Sequence, residues 1–168
     1  ARGKPFTNYP HLTMNIGRSA ARAAITIPNG VRRGTRKNLS VESLDGFLAL
    51  LAELEPRLRP VVKRCAGARP MIYAIQRHYR TQRCPEIDAR LEADLRTALP
   101  VKQRGIKYQP QWIEAIHRVL INKRSNIQFG VEVYLPYTCP LVRSGDAADL
   151  FADSWKALFP LIDFAIKD

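Results

Sequence analysis

The chain has 168 residues and a mass of 19.1 kDa, the size of one domain able to bury about 70% of the surface its unfolded form exposes. A net charge of +12 and a pI near 10.1 favour an anionic partner, nucleic acid or an acidic surface. No apolar run approaches the ~18 residues of a membrane span, so no membrane insertion is expected. Cys65, Cys84 and Cys139 are spaced neither as a disulfide framework nor as a zinc knuckle, which points to a cytoplasmic or other reducing compartment.

The first forty residues form a basic N-terminal segment, with eight Lys or Arg and no acid. Leu12, Met14 and Ile16, then Ala23, Ile25 and Ile27, alternate with the period of two of half-buried strands. Arg32, Arg33, Arg36 and Lys37 follow the Asn29-Gly30 turn signal, in a glycine-bearing loop whose backbone can approach a phosphate closely.

Residues 41–168 read as a helical core containing one strand, the whole forming a single domain. Ser40 is the expected N-cap of a first helix with the stripe Leu44, Phe47, Leu48, Leu51 and Leu54, ended by Pro56. Pro60 opens a short helix closed by Gly67. Residues 69–83 are expected to be the organising helix. On that reading Met71, Ile72, Ile75 and Tyr79 form an apolar stripe, and Arg69, Arg77, Arg80 and Arg83 lie opposite it around Tyr73. No acid lies within this segment.

Residues 86–99 read as a further helix, with Ile87, Leu91, Leu95 and Leu99 in line and Glu86/Arg90 and Glu92/Arg96 paired at i, i+4. The next segment supplies Lys102, Arg104 and Lys107 beside Tyr108. Pro110 starts a helix with the stripe Trp112, Ile113, Ile116, Val119 and Leu120. Residues 127–135 alternate over nine positions, the strongest strand signal in the chain, and the N-terminal alternations are its expected partners. A C-terminal helix rich in aromatics, Phe151, Trp155, Phe159 and Phe164, should be kinked or broken at Pro160. It serves as a lid on the core or as a contact for other protein subunits. The expected fold is α+β and predominantly helical, about five helices packed with a small antiparallel sheet.

Catalytic chemistry finds little support. Glu114 and His117 are an E-x-x-H pair with no second copy to complete a metal site. Neither G-x-x-x-x-G-K-[ST] nor G-x-G-x-x-G occurs, so no cofactor is expected. The expected function is a non-catalytic nucleic-acid-binding component of a larger nucleoprotein assembly, directed at the backbone, with RNA ahead of DNA. The expected contacts are Arg69, Tyr73, Arg77, Arg80 and Arg83, then Lys102, Arg104 and Lys107, then Arg32, Arg33, Arg36 and Lys37. The alternatives are a subunit docking an acidic protein partner, or an enzyme with an unrecognised site.

Overall fold

The computed structural model describes residues 9–28, 44–81, 84–98, 111–121 and 127–166, except the side chains of 77–81, 84–88, 97, 98, 111, 112 and 121. The chain is α+β, built on one five-stranded antiparallel sheet of order β1-β2-β5-β3-β4. The strands are β1 (His11–Ile16), β2 (Ala20–Ile27), β3 (Arg69–Thr81), β4 (Cys84–Asp94) and β5 (Ile127–Pro136). Three substantial helices accompany them: α1 (Leu44–Arg64), α3 (Gln111–Ile121) and α4 (Ala147–Ile166), with α2 (Leu95–Ala98) a single turn.

The alternation in β2 and β5 decides which face is covered. Ala21, Ala23, Ile25 and Ile27, with Phe129, Val131, Val133 and Leu135, join the core that includes Phe47, Leu51, Leu54, Leu58, Leu158 and Leu161 of the helices. Each fully buried Leu or Phe contributes about 1.5–3 kcal/mol, and this layer is where most of that burial sits. The even-numbered residues of β2 and β5 point away from the helices. The pairing of the N-terminal alternations with residues 127–135 is present, β2 lying antiparallel to β5 with Ile25 opposite Val131.

The expectation of about five helices is overturned, because residues 69–83 and 86–99 contain strands, β3 and β4. Residues 41–168 therefore supply three strands rather than one. From Ile72 to Ile75 both faces of β3 are buried, with Ile72 and Ala74 in the helix-side core and Tyr73 and Ile75 buried on the opposite face. Such a strand shows an unbroken apolar run, Met71 to Ile75, in which a helical spacing can be found by chance. In β4 the spacing i, i+4 is also a multiple of two, and Leu91 and Ala93 share the core side as a strand requires. Arg90 pairs with Glu92, and Arg96 of α2 pairs with Asp94 rather than Glu92; of the expected Glu86/Arg90 pair, the Glu86 side chain lies outside the described residues.

The prolines also act differently from expectation. α1 runs through Pro56 and Pro60, and α4 through Pro160. Pro56 and Pro60 are exposed, while Leu54, Leu58 and Val61 are buried one turn apart on the inner face. An interior proline costs about 3 kcal/mol. Burial of Leu58 and Val61, together with the Glu53–Arg57 and Glu55–Arg59 pairs that straddle the first proline, offsets a cost of that size. Gly67 ends the segment with φ +80, a left-handed conformation suited to glycine.

Candidate nucleic-acid interface

Strand register fixes what stands on the helix-free face. One rung across the sheet is Asn15, Arg22, Tyr134 and Arg69, and the next is Thr13, Ala24, Glu132, Met71 and Asp94. A third is His11, Thr26, Gly130, Tyr73 and Glu92. Aromatic rings, guanidiniums and hydroxyls thus share a surface that in sequence is divided among five separate stretches.

On the first rung the Arg69 guanidinium carbon lies 4.7 Å from the centre of the Tyr134 ring, and that of Arg22 lies 5.6 Å from it. Arg22 also places Nε 3.1 Å from Glu132 Oε1. That nitrogen is buried without a hydrogen-bond partner, so the contact is ionic rather than a well-aligned bond. Glu132 is shared, with Arg90 Nη2 at 3.5 Å. Burial raises the Glu132 carboxyl above its ordinary range, and the two guanidiniums oppose that rise.

The third rung is a network of hydroxyls. Thr13 Oγ1 donates to Thr26 Oγ1 at 2.8 Å, and Thr26 Oγ1 lies 2.8 Å from the Tyr73 hydroxyl. The Tyr73 side chain reaches Thr26 by crossing Gly130, where an added Cβ would stand 2.5 Å from its hydroxyl oxygen. Arg90 lies over the Tyr73 ring, 5.2 Å from its centre. Tyr73 is only 4% exposed, so this expected nucleic-acid contact is instead part of the packing of this face. Burial pushes its phenol upward.

Arg69, alone among the expected contact residues, has a described side chain at the surface. It is exposed and has no acidic partner among the described residues. Arg77 and Arg80 lie on β3, where no helical face aligns them, and their side chains are outside the described set. Arg83, Lys102, Arg104, Lys107, Arg32, Arg33, Arg36 and Lys37 also lie outside the described residues. Reading the sequence missed Arg22 and Tyr134; their period-two positions on β2 and β5 were the available signal.

Arg18, in the β1–β2 hairpin, is exposed and likewise lacks an acidic partner among the described residues. Because Ala20 pairs with Pro136 and Arg69 with Tyr134, Arg18, Arg22 and Arg69 come to the same end of the sheet. On the helix layer the balance is different. Arg57, Arg59 and Arg64 are paired with Glu53, Glu55 and Asp153 at 3.0, 2.7 and 2.6 Å.

Other sites offer less chemistry. His117 rests half-buried against Phe47, their ring centres 5.3 Å apart. Among the described residues no group of three His, Cys, Asp or Glu is placed to hold a metal, and no helix is long and apolar enough to cross a membrane. Cys65 and Cys139 are free and buried, and burial with a neighbouring thiol pushes Cys65 up to about 12. In α4, Phe151 is buried and Trp155 half-buried, leaving Phe159 at 44% as the most exposed ring of that helix. Compared with known protein families, curated proteins and solved structures, the chain matches none of them.

Proposed function

We propose that the protein is a non-catalytic nucleic-acid-binding component of a larger nucleoprotein assembly and that the helix-free face of its sheet is the binding surface. The observation that carries this reading is Arg69, exposed, without an acidic partner among the described residues and set over Tyr134. A planar guanidinium in that position can take a phosphate oxygen bidentately. The guanidinium plane held over the half-exposed Tyr134 ring can also stack on an unpaired base, which favours single strands and puts RNA ahead of DNA. The net charge of +12 supplies the attraction at long range.

Fluorescence anisotropy with labelled single-stranded RNA and DNA of unrelated sequences tests this. Arg69→Glu combined with Arg18→Glu should weaken binding at least tenfold and lower the log–log salt slope by about 0.7 for each phosphate no longer neutralised. Stability should fall by no more than about 1 kcal/mol, the size of the lost Arg69–Tyr134 contact, since neither residue has an ion pair to lose among the described residues. Equal affinity in the variant, or no binding by the wild type at low salt, would remove the proposal.

A further inference from the structure

β1 is an edge strand, and its composition is unusual for one. Its six residues, HLTMNI, carry no Lys, Arg, Asp, Glu or Pro, and its register with β2 runs without a bulge. These are the devices by which edge strands normally avoid pairing with other chains. Leu12, Met14 and Ile16 are 47%, 54% and 72% exposed, although the residues they oppose on β2, Ile25, Ala23 and Ala21, are core. Trp155 Nε1 donates to the Thr13 carbonyl at 3.4 Å, so α4 braces the strand without extending over its apolar row.

The backbone direction follows from the hairpin. The Gly17 N–H donates to the Ala20 carbonyl at 2.9 Å, which makes these two a hydrogen-bonded pair. Counting back by two, Asn15 and Thr13 turn their backbone groups toward β2, and Leu12, Met14 and Ile16 turn theirs outward. None of these three has a partner across that outer edge among the described residues.

We infer that β1 pairs antiparallel with β1 of a second copy of this chain, with Met14 on the two-fold axis. An isologous strand pair must oppose residues of the same parity if both apolar rows are to lie on one side. The register with Met14 opposite itself sets Leu12 against Ile16 and Thr13 against Asn15, and the outward-turned residues then exchange backbone bonds. Charge selects a second copy on the same grounds. On a chain of net charge +12 most of the surface repels its own kind, and this strip is uncharged. The antiparallel sense also carries the two Arg18 side chains to opposite ends of the joint, each beside Tyr9 and Pro10 of the other copy. The result is one ten-stranded sheet whose two helix-free faces are continuous.

Light scattering on the full chain at concentrations up to about 100 µM, the range suited to a small interface, tests this directly. The wild-type mass should rise from 19.1 kDa toward twice that value. Met14→Lys and Met14→Glu should each remain monomeric, because each puts like charges face to face on the axis, with melting curves matching those of the wild type at dilutions where it too is monomeric. Mixed in equal amounts, the two variants should recover the doubled mass. A wild type that stays monomeric overturns the inference. So does a dimer that survives both substitutions, or a mixture that stays monomeric while each variant is folded.

Discussion

At Gly130 the absence of a side chain is set by Tyr73, whose ring crosses that position to meet Thr26. An added methyl group would also lie 2.7 Å from the Ile25 carbonyl oxygen, which belongs to the adjacent strand and cannot rotate away. Gly130→Ala should therefore cost about 1–3 kcal/mol in chemical denaturation, the usual penalty for overpacking. A neutral substitution would show that the Tyr73–Thr26 hydrogen bond is dispensable. Glu132 makes a second test at this scale. Its carboxyl is raised from an ordinary 4.5, first by burial and against the pull of Arg22 and Arg90. A native value above the unfolded one gives stability that is full below the unfolded value and lost as pH rises through the native one. The melting temperature of the wild type relative to Glu132→Gln should fall as pH rises from about 4 to about 7. A difference that instead grows in favour of the wild type would mean that the two ion pairs outweigh the cost of burial.

At the scale of elements, α1 is one helix through two prolines, and Pro56→Ala should stabilise the protein by about 1–3 kcal/mol. If the helix stopped at Pro56, that substitution would bring no such gain. The parts of the fold legible in the sequence were those whose second face carries polar atoms: Arg22 and Thr26 on β2 and Gln128, Glu132 and Tyr134 on β5 mark a period of two, although much of that face is buried too, and α1 and α4 show wide apolar stripes. β3 was illegible for a physical reason. Between Met71 and Ile75 neither face of β3 carries a charged or amide side chain to reveal its period, so this run fits a helix as well as a strand. β4 was ambiguous because Leu91 and Leu95, four apart, satisfy both periods. The candidate site suffered from the same error. Placing Arg69 on a helix grouped it with Arg77 and Arg80, whereas the strand places it beside Tyr134 and Arg22, which come from distant sequence.

For the whole molecule, charge is divided between two layers. The outer arginines of α1 are neutralised by acids of α1 itself and of α4, while the sheet brings Arg18, Arg22 and Arg69 to one end around Tyr134. On the helix-free face Arg22 and Arg90 share the single carboxylate of Glu132, and Arg69 stands at the surface over the half-exposed Tyr134 ring. This asymmetry is why we propose the sheet, rather than the helices, as the surface for a polyanion. The most direct test is to add a single-stranded RNA oligonucleotide to isotopically labelled protein at low salt and follow every backbone amide by NMR. Shifts concentrated at Arg18, Arg22, Arg69 and Tyr134, with α1 and α4 unmoved, are the predicted result. Shifts confined to the helices, or none at saturating RNA, would contradict it.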